Sequence, residues 1–194
     1  MKAIAVYCGS SVGASPIYRE MAVQLGKELV KRGLTLIYGG AKVGIMGVVA
    51  DTVLEGGGEV IGVIPSLLEQ REISHQGLTK LYNVETMHER KQLMIELADG
   101  FVALPGGPGT MEEFFEVFTW SQIGLHQKPC GLLNINGYYN HLISFFEHMH
   151  QEKFLAEKYF DMKLVASEPA ELLDLFDKFV HPGVKEYQSQ SPTL

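Results

Sequence analysis

GFVALPGGPGTMEEFFEVF, running from Gly100 to Phe118, changes pattern twice within a short span. Gly100–Leu104 is an apolar run of strand length. Pro105–Thr110 is a turn of glycine and proline, and an amphipathic helix is expected from Thr110 to about Ile123. A strand that passes through a glycine turn into a helix is the unit from which parallel sheets are built.

Outward in both directions the same succession repeats. Upstream, Leu78–Val84 reads as a strand and Thr86–Ala98 as a helix. Before them come a strand at Glu59–Ile64, closed by Pro65, and another at Leu34–Tyr38. The latter leads through GGAKVGIMG (Gly39–Gly47) into a helix that ends at Gly56-Gly57-Gly58. The first strand, Lys2–Cys8, runs into Gly9-Ser10-Ser11. Ser15 and Pro16 then open a helix as N-cap and first residue. Ile17, Met21, Leu25 and Leu29 line one face of that helix, and Gly33 stops it. Downstream follow Cys130–Ile135, a helix from Tyr138 to His150, Lys163–Ala166 and a last helix from Pro169 to Val180. Ser66–Gly77 is expected to be a mobile excursion, and the polar tail from His181 to be frayed. The pattern predicts an α/β fold with one doubly wound parallel sheet and helices on both faces. It forms a single domain over residues 1–180 with a polar tail at 181–194.

The bulk properties narrow the function. A formal charge of −7 over 194 residues argues against nucleic acid as a partner, since phosphate backbones are held by basic surface. No apolar stretch approaches the roughly 20 residues that cross a bilayer, so no membrane is expected. The opening MKAIAVYCGSS is too short for a secretory signal, and a cytoplasmic location is expected. Cys8 and Cys130 sit in apolar runs and are expected as buried, reduced thiols. His141, His148 and His150 share a helix without a nearby cluster of carboxylates or cysteines, and are expected as surface residues. No metal and no cofactor is expected.

In a doubly wound sheet, ligands bind beyond the carboxyl ends of the strands. Four junctions there carry CGSS with Ser10, GGAKVGIMG with Gly40, Gly44 and Gly47, ETMHERK, and LPGGPGT. Backbone N–H groups of Gly106, Gly107, Gly109 and Thr110, with the helix dipole behind them, suit an anion; the alternative is a tight glycine turn without a ligand. GGAKVGIMG lacks the Gly-Lys-Ser/Thr ending of an ATPase loop, and VIGVIPS lacks the acidic residue that holds a dinucleotide ribose. A mononucleotide is therefore preferred.

Thr86 and Glu89 form a capping-box pattern, which puts Arg90 and Lys91 near the first turn of their helix. Cations there oppose the helix dipole by roughly 0.3–1 kcal/mol each, a cost that a bound anion would offset. Glu113 has two readings. Thr110 and Glu113 form a capping box of their own; equally, the carboxylate stands ionised beside a bound phosphosugar, where it stabilises positive charge or orients a water. Met87 and Met94 are either core or an apolar floor for a base.

MHERKxxM (Met87–Met94) followed by PGGxGTxxE (Pro105–Glu113) resembles the LOG, or "Lonely guy", family of cytokinin riboside 5′-monophosphate phosphoribohydrolases, often labelled lysine decarboxylases. The resemblance implies a Rossmann-like homodimer that hydrolyses an N6-substituted adenosine monophosphate to free base and ribose 5-phosphate. It implies Arg90 and Glu113 as the catalytic pair. It implies Lys91 and the loop Gly107, Pro108, Gly109 and Thr110 as phosphate and ribose contacts, and Glu72 and Thr119 as further substrate positions. Met87, Gly106, Met111 and Glu112, in the same two motifs, are expected to contact substrate as well. Pro108, often aromatic in plant members, has no N–H to donate. No lysine has a context that suggests a Schiff base, so the decarboxylase label finds no support. Two other readings remain open. One is a non-catalytic carrier of a nucleotide or of the molybdenum cofactor; the other is a general nucleoside monophosphate nucleosidase.

Overall fold

The computed structural model describes residues 1–69 and 74–184. Its strands are short, and most are buried on both faces, so they read as continuous apolar runs rather than alternating ones. They are β1 (Ala3–Tyr7), β2 (Thr35–Tyr38), β3 (Val60–Pro65), β4 (Lys80–Val84), β5 (Gly100–Ala103), β6 (Cys130–Leu133) and β7 (Lys163–Ala166). All pair in parallel, in the order β4-β3-β2-β1-β5-β6-β7. The expected doubly wound fold is therefore present, and the order reverses between β1 and β5.

The helices are α1 (Pro16–Lys31), α2 (Gly44–Glu55), α3 (Ser66–Glu69), α4 (Met87–Leu97), α5 (Pro108–Gln122), α6 (Asn140–Gln151), α7 (Glu157–Phe160) and α8 (Pro169–Lys178). Strand β1 shows how the two layers form. Ile4 and Val6 face a core shared with α1, α2 and α8, while Ala3, Ala5 and Tyr7 face a second core with α4, α5 and α6. None of the described helices is long and apolar enough to cross a membrane.

Several local expectations change. Ser15 is the N-cap of α1, but its hydroxyl caps nothing; Pro16 at the first position starts the helix. Gly33, at φ +66°, ends it as foreseen: its N–H bonds Val30 O, and the Leu34 N–H reaches back to Leu29 O. Helix α5 begins at Pro108, not Thr110, with Gly107 as N-cap. The excursion after β3 is tied down at its described end. Ser74 bridges Ala41, the His75 N–H donates to Gly40 O, and His75 Nε2 lies 2.8 Å from Asp51 Oδ1. The start of the tail makes contacts: His181 Nε2 donates to Ser121 O at 3.0 Å, and the Val184 side chain lies over Gly124; the rest of the tail expected to be frayed lies outside the described residues.

Candidate functional site

The four strand-to-helix junctions, three of them bearing glycine, converge on one cleft of about 250 Å³ at the β1–β5 reversal. That is slightly below the range of roughly 300–1,000 Å³ usual for small-molecule sites. Its walls come from Tyr7 at the end of β1 and Cys8, Gly9 and Ser10 after it, Gly39 after β2, Met46 on α2, Arg90 and Lys91 on α4, and the start of α5.

The floor is the N-terminus of α5. The N–H groups of Gly109 and Thr110 precede the first intrahelical bond, from Met111 N–H to Gly107 O, and so are free for a ligand. A Cβ on Gly107 or Gly109 would meet no protein atom within 4 Å. Packing therefore does not demand glycine at either position, whereas close approach of a ligand would. Pro108 occupies the first helical position. Its missing N–H removes one donor there, while its fixed φ presets the turn.

Helix α4 supplies the cations. Thr86 Oγ1 accepts the Glu89 N–H at 3.1 Å, as the capping box predicts. The Glu89 carboxylate accepts from Glu85 N–H rather than from that of Thr86. The cap aims Arg90 and Lys91 inward: they are only 8% and 7% exposed, so they are not solvated surface charges. Arg90 Nη2 stands 3.9 Å from Glu113 Oε1 and Nη1 3.8 Å from Met87 Sδ; its buried Nε has no hydrogen-bond partner among the described residues. A buried guanidinium with such weak contacts is ready to receive a polar ligand. Lys91 differs. Its Nζ lies 3.0 Å from Glu112 Oε1 and 3.1 Å from Glu116 Oε2. Burial pulls its pKa down, but these two carboxylates outweigh that and hold it above the ordinary value. Expected as a phosphate contact, it is engaged in clamping α4 to α5.

Glu113 is not a cap. With α5 starting at Pro108, Thr110 lies inside the first turn, and Glu113 projects into the cleft with its side chain 13% exposed. Burial pushes its carboxyl up to about 7, against the opposing pull of Arg90. The expectation of a firmly ionised carboxylate is thus corrected: at neutral pH the group both holds and releases a proton.

Other expectations sort by position. Ser10, Met87 and Glu112 line the cleft, and Gly106 lines a neighbouring cavity with Tyr18 and Tyr138. Met87 and Met94 both line the cleft: Met94, fully buried, does so from the second core, while Met87, 41% exposed, sits at the rim. Gly40, Gly44 and Gly47 do not line the cleft. Gly44 lets α2 touch the β1 loop, since a Cβ there would stand 2.2 Å from the Ser10 carbonyl carbon. Met111 packs into the second core, and Thr119 is exposed on α5 outside the cleft. Glu72 lies outside the described residues. Cys8 and Cys130 are buried free thiols, and burial pushes both pKa values up. Gly39 and Met46, within the GGAKVGIMG junction, and Cys8 and Gly9, within CGSS, line the cleft without having been singled out there. Tyr7, at the end of β1, was not foreseen. Among the described residues no group of three or more His, Cys, Asp or Glu is placed to hold a metal.

Comparison with known proteins places the chain in a family. A family model described as "Possible lysine decarboxylase" matches residues 46–176, from α2 into α8. The cytokinin riboside 5′-monophosphate phosphoribohydrolase LOG7 of Arabidopsis thaliana is 51% identical over 155 residues, covering 80% of this chain and 71% of the relative. The cytokinin riboside 5′-monophosphate phosphoribohydrolase of Rhodococcoides fascians is 51% identical over 155 residues, covering 79% and 78%. Among solved structures, the molybdenum cofactor binding protein of Rippkaea orientalis superposes with a TM-score of 0.67 at 24% identity. It covers 91% of this chain and 96% of its own, and at that identity the likeness speaks for the fold alone. With half of all residues shared along most of both sequences, the chain belongs to the LOG family of cytokinin riboside 5′-monophosphate phosphoribohydrolases.

Proposed function

We propose that this protein hydrolyses the N-glycosidic bond of an N6-substituted adenosine 5′-monophosphate, releasing the free base and ribose 5-phosphate. One observation carries the reading: Arg90 and Glu113, both largely buried, face each other at 3.9 Å across a cleft floored by a helix N-terminus. The start of α5 anchors the phosphate through the N–H groups of Gly109 and Thr110. Glu113 in its ionised form takes a proton from water as the water oxygen bonds to the ribose C1′ and the bond from C1′ to the base nitrogen breaks. Charge building on the departing base is stabilised by Arg90, and Glu113 returns the proton to that base. A lysine-based decarboxylation does not fit, because Lys91 is doubly paired and held protonated, the opposite of a Schiff-base lysine.

The same proposal includes a homodimer, in which a second copy covers some of the apolar side chains left exposed at Leu125, Phe145 and Phe154. It also includes a cytoplasmic setting, which suits two buried thiols. The test is base release from AMP and isopentenyl-AMP side by side, with Arg90→Ala as control. Preferential cleavage of the prenylated nucleotide is expected; equal cleavage of AMP assigns general salvage instead. No release from either, with AMP bound tightly, makes the protein a carrier.

A further inference from the structure

We propose that Gly39 positions the Arg90 guanidinium, and that the residue is glycine because the guanidinium occupies the space a side chain would fill. The inference rests on the reading of Arg90 and Glu113 as the working pair, but it concerns their geometry and not the reaction. A Cβ on Gly39 would stand 2.0 Å from Arg90 Nη2, 3.2 Å from Arg90 Cζ and 3.3 Å from Met46 Sδ. The backbone makes no such demand of its own. Gly39 is not among the glycines with positive φ, whereas its neighbour Gly40 stands at +81°. Contact with Arg90 is therefore the reason for glycine.

The guanidinium needs that wall. Its other neighbours, Met87 Sδ at 3.8 Å and Glu113 Oε1 at 3.9 Å, are loose, and its Nε is unpartnered among the described residues. An arginine side chain has wide rotamer freedom, and here shape rather than hydrogen bonding confines it. A methyl group at position 39 would displace the far end of a flexible side chain and not a backbone segment. The fold should survive Gly39→Ala, while the spacing between Arg90 and Glu113 should not.

The test follows the Glu113 carboxyl carbon by NMR of the full chain labelled at glutamate, so that it requires no turnover. Gly39→Ala is expected to move the Glu113 midpoint by about half a pH unit or more from the wild-type value, and to leave it unmoved in an Arg90→Ala background. Base release from AMP, measured alongside, is expected to fall about tenfold or more through kcat. If the wild type releases no base, the enzymatic reading fails and the titration still decides the role of Gly39. An unmoved midpoint, or the same movement without Arg90, overturns the proposal. Should Gly39→Ala not fold, the double variant with Arg90→Ala decides: a folded double identifies the guanidinium as the obstacle, and an unfolded one overturns the proposal.

Discussion

Replacing Glu113 by glutamine is expected to stabilise the protein, and to do so increasingly as pH rises. The carboxyl is raised by burial from 4.5 to about 7, with Arg90 opposing. Below 4.5 it is protonated in the folded and unfolded chain alike and costs nothing. Between 4.5 and 7 the unfolded chain ionises while the folded one does not, so stability falls with rising pH. Above 7 both are ionised and the penalty is constant. At about 1.36 kcal/mol per pH unit, the gap between the two values amounts to roughly 3 kcal/mol, of which about 2.5 kcal/mol develops between pH 5 and pH 8. Glutamine does not titrate, and the desolvation cost of its amide is the same at both pH values, so it cancels from the comparison. Urea unfolding of wild type and Glu113→Gln at pH 5 and pH 8 measures this directly. The advantage of the variant should be larger at pH 8 by about 2.5 kcal/mol, while base release is lost. An equal difference at the two pH values means that the carboxyl titrates normally, and the burial argument fails.

The pH dependence of catalysis follows from the same group. Because the ionised form of Glu113 is the productive one, kcat/KM should rise with pH toward a plateau above about 7; a fall across that range assigns Glu113 to acid catalysis instead. Two glycines with similar backbone angles separate strain from collision. Gly57→Ala, at φ +77° with nothing nearby, should cost about 1–2 kcal/mol, the price of a left-handed alanine. Gly44→Ala, at φ +62° and 2.2 Å from the Ser10 backbone, should cost more than about 3 kcal/mol in the same unfolding assay. Equal losses in the two variants would show that the α2 start and the β1 loop are not in contact.

Most elements were legible because most strands are runs of apolar residues punctuated by glycine or proline, signals that act locally. Their lateral order was not, since the placement of β5 beside β1 depends on how α4 packs across the sheet. At the site, Arg90 was legible because a cation in the first turn of a helix lacks a local justification. The charge state of Glu113 was not, because two local patterns compete at α5. Pro108 at the first helical position prevailed over the Thr110-x-x-Glu113 cap, and burial then set the proton affinity. Gly39 and Gly40 look alike in sequence. Only the approach of Arg90 from another helix distinguishes the one that meets the cleft.

Helices α4 and α5 flank β5 in sequence, so Arg90 and Glu113 travel on one continuous stretch of chain, with a four-residue strand between their helices. The spacing of the reactive pair is thereby a matter of segment length. Inserting or deleting one residue in β5 would displace one helix against the other along the strand axis by about 3.3 Å. Loops after β1 and β2, by contrast, touch the cleft from separate parts of the chain. Apart from Gly39, which confines Arg90, and Gly44, which meets the Ser10 backbone, substitutions there can redraw what the cleft admits without disturbing the spacing of the pair. The fold thus divides its sequence into a segment that must be inherited whole and loops that, a few glycines aside, are open to variation.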